Sequence, residues 1–218
     1  MESYVPRTVD AEIDELFEGI AAISLDGPKA VGKTETARRR VAHTLNLDNE
    51  SQRSIVAADP QMIRSMPKPL LVDEWQRVPS VWEVVRRAVD DNPTPDQFIL
   101  AGSAGTTATL HSGAGRIVRV RMRPMSIAER VNHALPVSLA TMLTGHEMVE
   151  VRGHAGLDLG AYVDLILESG FPGIRSLSGR VRTAQLGGYL DRIVDRDFEE
   201  QGVMVCRPGF RHGIICHD

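Results

Sequence analysis

The feature that most constrains this chain is a glycine-containing loop between an apolar run and a helix-forming stretch. Residues 21–25 (AAISL) predict a buried strand, and residues 35–45 begin with good helix formers. Between them, residues 27–34 read GPKAVGKT and satisfy the pattern G-x-x-x-x-G-K-[ST] at every fixed position. Because the pattern lies between a strand and a helix, we predict a phosphate-binding loop.

Each residue type in this loop suits a polyphosphate. Glycine at positions 27 and 32 lets successive backbone N–H groups turn inward, and the helix that follows adds the positive end of its dipole. Lys33 can reach the β- and γ-phosphates, and the Thr34 hydroxyl can ligate Mg²⁺. The alternative, a turn that binds nothing, is disfavoured because chance produces this pattern on the order of once in a hundred chains of this length. The predicted binding set is Gly27, Pro28, Lys29, Ala30, Val31, Gly32, Lys33, Thr34 and Glu35.

Length, charge and cysteine content set broad limits. The 218 residues suffice for one α/β domain with a small appendage, and a net charge of −4 gives no reason by itself to expect nucleic acid or a membrane surface. The two cysteines, Cys206 and Cys216, are too few for a disulfide framework. No signal peptide and no apolar run of about 20 residues is evident. We therefore expect a soluble cytoplasmic protein without a membrane segment.

A second apolar run, residues 70–72, ends in the carboxylates Asp73 and Glu74. In a parallel sheet, ligands collect at the carboxyl ends of strands. One carboxylate there can hold Mg²⁺, and the next can activate the attacking water. Alone, the pair would more simply be a solvated acidic loop or a helix cap. Downstream of a phosphate-binding loop, the magnesium and catalytic roles are favoured.

Periodicity and turn residues predict the remaining elements. They are a helix over residues 9–19 capped by Thr8, a strand over residues 54–57, a short helix before Pro67, a helix over residues 79–91, a strand over residues 98–101, and a half-buried last strand over residues 117–122 with Arg119, Arg121 and Arg123 on its outer face. Trp75 and Trp82 are expected to pack in the core. Ser103 follows the strand over residues 98–101, where it can face a γ-phosphate or simply cap a turn.

Five features now stand in order along the chain. They are the loop over residues 27–34, Asp73-Glu74, Ala101-Gly102-Ser103, Gly115-Arg116-Ile117, and the later segments Ser169-Gly170-Phe171-Pro172 and Arg196-Asp197. Together they resemble the prokaryotic AAA+ ATP-binding proteins, in which an AAA-type module precedes a C-terminal domain of unassigned role. The resemblance spans about residues 1–200.

The resemblance implies a fold and a set of roles. The fold is an α/β P-loop NTPase of the ASCE type, a three-layer sandwich with a parallel five-stranded sheet of order 5-1-4-3-2. Gly27, Lys33 and Thr34 would belong to Walker A, Asp73 and Glu74 to Walker B, and Ser103 would be the sensor on the fourth strand. Arg116 would be an arginine finger, in its own site or across a subunit interface, and a solvated arginine at a strand start is the equal alternative. ATP, ADP and Mg²⁺ are the implied ligands.

The chain also departs from that family, whose members are usually about twice as long. We expect a P-loop core over residues 1–123, a small helical cap over residues 124–201 and an irregular tail over residues 202–218. The tail would stand where a second domain begins, through which a protein partner, DNA or an oligomer would be engaged. Its Cys206, His212, Cys216 and His217 match no usual zinc spacing.

Three functions follow, in order of preference. The first is an Mg²⁺-dependent ATPase in which Glu74 activates water, with adenine inferred from the resemblance. The second is a nucleotide-dependent switch that binds a partner or DNA through the arginines at 38–40 and 119–123, although such runs are usually solvated faces. The third is a small-molecule kinase, which Asp73-Glu74 disfavours.

Overall fold

A five-stranded parallel sheet forms the centre of the computed structural model, which describes residues 4–103, 114–131, 139–144 and 156–197. The strands are β1 (Ala22–Gly27), β2 (His43–Asn46), β3 (Leu70–Asp73), β4 (Phe98–Ser103) and β5 (Val118–Arg121). Their order is β2-β3-β4-β1-β5, and every neighbouring pair is parallel. Read from the other edge, this is the predicted order 5-1-4-3-2, so the α/β P-loop fold is confirmed.

Helices connect and cover these strands. In the described residues they are α1 (Thr8–Gly19), α2 (Lys33–Arg38), α3 (Glu50–Ala58), α4 (Met62–Ser65), α5 (Ser80–Asp91), α6 (Ile127–Val131), α7 (Leu139–Thr144), α8 (Leu159–Glu168), α9 (Pro172–Arg175) and α10 (Gly179–Arg192). A 3₁₀ turn, Trp75–Arg77, follows β3, and a π-helical turn, Ile193–Asp197, continues α10. No helix in the described part of the chain is long and apolar enough to cross a membrane.

Alternate residues of the central strands enter two separate apolar clusters, one on each face of the sheet. Leu70, Val72, Phe98 and Leu100 pack with side chains of α3, α4 and α5. Ile23, Leu25, Leu71 and Ile99 pack with Ile13 and Phe17 of α1 and Ala37 of α2. A sheet buried on both faces explains why β3 and β4 read as continuous apolar runs.

The two tryptophans lie in the first of these clusters, as predicted. Trp75 and Trp82 are buried, and their ring centroids are 5.0 Å apart. The helix around residues 79–91 is also confirmed, since α5 buries Val81, Val84, Val85 and Ala88 on one side. The tryptophan pair thereby anchors the 3₁₀ turn against α5.

The second strand was predicted in the wrong place. Residues 54–57 lie inside helix α3, where Val56 is buried and Ile55 is 58% exposed. The β-branched residues Ile55 and Val56 are typical of a strand. The segment is nevertheless helical, and the side chain of Asn49 caps α3 by accepting a hydrogen bond from the Gln52 N–H. The strand is instead β2, which pairs with β3 from His43↔Leu70 to Asn46↔Asp73. Three of its four residues are polar and at least partly exposed, so the segment carries little strand signal.

Smaller boundaries also differ from expectation. Thr8 is the first residue of α1 and not its cap, which is Arg7. The helix after the phosphate-binding loop ends at Arg38 rather than Leu45, because the chain turns there into β2. At the sheet edge, β5 alternates as predicted, with Val120 buried and Arg119 and Arg121 exposed. The proposed division at residue 123 stays a prediction, and the tail over residues 202–218 lies outside the described residues.

Candidate functional site

The predicted phosphate-binding loop joins the carboxyl end of β1 to the start of α2. Two of its glycines are required by the local geometry. A Cβ at Gly27 would lie 2.3 Å from the Met122 carbonyl oxygen, and Gly32 has a φ of +105°, in the left-handed region. These positions let the chain wrap closely around a central space, which is what a phosphate cradle requires.

Lys33 is the first residue of α2 and is only 5% exposed. Its Nζ donates hydrogen bonds to the carbonyl oxygens of Gly27, at 2.8 Å, and Pro28, at 2.9 Å. Burial lowers the pKa of Lys33, and the charges of Glu74 and Asp73 oppose that shift. The ammonium group therefore lies inside the loop, in the electrostatic field of both predicted Walker B carboxylates.

Thr34 and Asp73 are in direct contact although 39 residues separate them. The Thr34 hydroxyl lies 3.0 Å from Oδ1 and 2.9 Å from Oδ2 of Asp73. Burial raises the pKa of Asp73, and the hydrogen bond from Thr34 opposes that shift. The pairing brings together two hard oxygen donors, one from the loop and one from the end of β3.

These donors fit a magnesium ion. Mg²⁺ takes oxygen ligands and usually keeps several waters, so it needs only one or two protein groups beside the phosphates of its nucleotide. Within the described ranges, no group of three or more His, Cys, Asp or Glu residues is placed as a metal site. The four cysteine and histidine residues of the tail lie outside the described residues.

Glu74 has a strained backbone and a fixed side chain. Its φ of 54° and ψ of 41° are left-handed, a conformation that costs a non-glycine residue about 1–3 kcal/mol. Glu74 caps the 3₁₀ turn, and its Oε2 accepts a hydrogen bond of 2.5 Å from Nε2 of Gln76. The same Nε2 lies 3.1 Å from Oγ of Ser103, at the end of β4. Gln76 therefore joins two residues that the sequence predicted separately.

Arg116 lies elsewhere. It precedes β5 at the amino-terminal edge of the sheet, where its guanidinium pairs with Asp90 of α5 at 2.7 Å. The loop follows the opposite, carboxyl-terminal edge, about 16 Å away at about 3.3 Å per strand residue. The pairing with Asp90 favours the alternative of a structural arginine at the start of a strand over a role in its own site. A role across a subunit interface stays a prediction.

A cavity of about 600 Å³ adjoins the loop on the side of α2. Its walls come from the N-terminal segment, from the loop and α2, and from the helices after β5. They are Tyr4, Val5 and Arg7; Gly32, Glu35 and Thr36; and Met125, Glu168, Pro172, Arg175 and Ser176. Pockets of this size, part apolar and part polar, are typical of small-ligand sites.

Arg7 and Gln76 are site residues that sequence reasoning missed. The buried Arg7 donates hydrogen bonds to the carbonyl oxygens of Val31, at 2.9 Å, and Arg123, at 2.7 Å, and pairs with Glu129 of α6 at 3.2 Å. Arg7 therefore connects the phosphate-binding loop to the segment that follows β5. No motif marks either residue, although the position of Gln76 two residues after Glu74 is a weak signal.

Similarity to known proteins identifies the family of this chain. A family model described as an AAA domain matches residues 20–131, which include the loop and the ends of β3 and β4. The chain belongs to the AAA-domain family. This membership supports a nucleotide-binding P-loop and agrees with the five-stranded parallel sheet.

Two curated relatives extend the likeness beyond the AAA domain. They are uncharacterized proteins of Mycobacterium tuberculosis and Mycobacterium bovis, each 26% identical to this chain over 206 residues. The alignment covers 91% of this chain and 41% of each relative. The chain thus spans less than half the length of these relatives.

Proposed function

We propose that this AAA-domain protein binds ATP and hydrolyses it with Mg²⁺. One observation carries the proposal, which is the contact of Thr34 with Asp73 beside Lys33 and Glu74. A phosphate cradle, two metal donors and a further carboxylate thereby stand together at one edge of the sheet. Phosphoryl transfer to water needs these groups and little else from a protein.

Lys33 would hold the β- and γ-phosphates. Its hydrogen bonds with the Gly27 and Pro28 carbonyls show that its side chain reaches over the loop. A bound polyphosphate would replace these neutral acceptors by charged ones, which form stronger hydrogen bonds with an ammonium group. Anionic phosphates would also favour the charged form of Lys33, against the desolvation that lowers its pKa.

Thr34 and Asp73 would hold the magnesium ion, since both offer the oxygen ligands that it prefers. The ion would neutralise charge on the phosphate oxygens. The hydrogen bond between the two residues already sets the position of both donors.

Glu74 would act on the attacking water. Its carboxylate takes a proton as the water oxygen bonds to the γ-phosphorus, and the bond from that phosphorus to the bridging oxygen breaks, so that ADP leaves. The strained backbone of Glu74 supports this role, since such strain clusters at functional sites. Ser103, linked to Glu74 through Gln76, would sense the γ-phosphate.

The cavity beside the loop would take the nucleoside. It adjoins Gly32, Glu35 and Thr36, which follow the phosphate-binding segment, and offers apolar surface from Val5, Met125 and Pro172. Adenine is the base that membership of the AAA family favours.

The alternative of DNA binding is weakened by the contacts of the arginine runs. Arg39 lies 4.3 Å from the centre of the Tyr4 ring, Arg40 pairs with Asp10 and Asp14, and Arg119 pairs with Asp26. These three arginines contact groups of the chain itself, whereas Arg38, Arg121 and Arg123 are exposed. Release of phosphate without any acceptor molecule would separate the ATPase from a small-molecule kinase.

Lys33→Ala is the variant that tests the proposal. We expect it to weaken ATP binding by at least about 100-fold, since it removes a charge-assisted contact from a buried site. The measurement is titration of the full chain with MgATP by calorimetry. Lys68→Ala is the matched control, because Lys68 also donates to a backbone carbonyl, that of Ile63, but precedes β3 at the opposite edge of the sheet. Equal affinity of wild type and Lys33→Ala would refute the site.

A further inference from the structure

Gln76 touches both groups that the proposed reaction would use at the strand ends. Its Nε2 donates to Oε2 of Glu74 at 2.5 Å and to Oγ of Ser103 at 3.1 Å. Glu74 follows β3 and Ser103 ends β4, so a single amide bridges two neighbouring strands. Since the amide occupies Oε2, it also fixes the direction in which Oε1 of Glu74 points.

The fold makes a dedicated place for this side chain. A Cβ at Gly102 would lie 2.5 Å from Oε1 of Gln76 and 2.8 Å from Nε1 of Trp75, so only glycine on β4 lets both side chains approach. Trp75 is buried against Trp82 and holds the 3₁₀ turn in place. The amide position is therefore determined from both sides, by the turn and by β4.

The surroundings of the Gln76 side chain are not those that would make the fold most stable. Its Oε1 is buried and has no hydrogen-bond partner among the described residues, and neither has Nε1 of Trp75. A buried acceptor without a partner costs free energy, which an apolar side chain of similar size would avoid. The presence of glutamine at position 76 is therefore explained by its side-chain N–H group, which donates to Glu74 and Ser103.

We propose that Gln76 is a positioning residue that holds the Glu74 carboxylate in register with Ser103, so that the water-activating group and the γ-phosphate sensor act as one unit. This inference rests on the proposed ATPase function. It assigns to Gln76 the positioning of Glu74 relative to Ser103 within that site. It requires no contact between Gln76 and the nucleotide. Loss of the amide should therefore slow turnover and spare binding.

The experiment compares wild type, Gln76→Ala and Gln76→Met, whose side chain is similar in length and has no N–H group to donate to Glu74. Calorimetry gives the Kd for MgATP, and phosphate release gives kcat. We expect both variants to keep the Kd within about twofold and to lose about tenfold or more in kcat, since small displacements of a reacting group are costly. Gln97→Ala is the matched control, because it removes another buried amide, one that precedes β4 at the opposite edge.

A double-mutant cycle with Ser103→Ala separates positioning from a merely structural role. If Gln76 and Ser103 act as one unit, the double variant has about the kcat of the slower single variant. Multiplied losses in the double variant, or wild-type kcat in Gln76→Ala and Gln76→Met, would overturn the inference while leaving the ATPase intact. Should Gln76→Ala fail to fold, Gln76→Met and the cycle built on it decide the question. Absence of hydrolysis by wild type would instead refute the proposed function, and this inference with it.

Discussion

The two edges of the sheet use polar side chains in different ways. At the carboxyl edge, Lys33 and Asp73 are buried, and Glu74 adopts a strained backbone. At the amino edge, the pair of Arg116 and Asp90 is exposed to solvent, and Gln97 satisfies its amide on the Asn92 and Thr94 carbonyls. Buried charge and backbone strain both cost free energy, whereas exposed pairs cost and contribute little.

The difference indicates where function lies. The amino edge also has a left-handed residue, Asp96, and a half-buried lysine, Lys68. The carboxyl edge is distinguished by the grouping of buried Lys33 with Asp73 and Glu74. The free-energy cost of such a group is offset when a charged ligand binds. The comparison therefore leads to tests in which the same kind of group is removed from each edge.

The largest effect is expected from Glu74→Gln. The amide cannot accept a proton, so kcat for ATP hydrolysis should fall by about 10²- to 10³-fold while ATP stays bound. Phosphate release and MgATP calorimetry measure the two quantities. Asp90→Asn removes a carboxylate from the amino edge and should leave kcat within about twofold. Hydrolysis by Glu74→Gln at the wild-type rate would remove the functional distinction between the edges.

A smaller effect is expected from Arg116→Ala. Because Arg116 lies at the amino edge, the turnover of dilute chain should change by less than about twofold. Kinetics over a wide range of protein concentration extend the test. A rate per chain that rises with concentration in wild type and not in the variant would show that Arg116 acts across an interface. A tenfold loss that is independent of concentration would place it in its own site and break the comparison.

The smallest effect concerns stability at the amino edge. Burial lowers the pKa of Lys68 to about 8 from an ordinary value of 10.5. The folded state thus releases this proton at a lower pH than the unfolded state, so the free energy of unfolding should rise between about pH 8 and pH 10.5. Urea unfolding of wild type and Lys68→Met across this range isolates the contribution. Parallel curves for the two proteins would contradict the lowered pKa.

Much of the fold was predictable because its signals are local. Strands β3 and β4 are apolar runs, and helix α5 shows its buried face in a regular spacing of valines. Strand β2 was misplaced because an exposed edge strand of four residues has no such pattern, whereas Ile55 and Val56 imitate one. The error did not affect the site, since the phosphate-binding loop precedes β2 and the carboxylates follow β3.

Residues next to one another in the chain were enough to predict the loop, the carboxylate pair and the serine at the end of β4, because each is a short local pattern. The contacts of these groups became known only from the fold. In the folded chain Thr34 contacts Asp73, and Gln76 lies between Glu74 and Ser103. Arg7 donates to the loop carbonyl of Val31, and Arg116 lies at the amino edge of the sheet. Such contacts depend on strand order and on packing between distant segments, which no local pattern of residue types encodes.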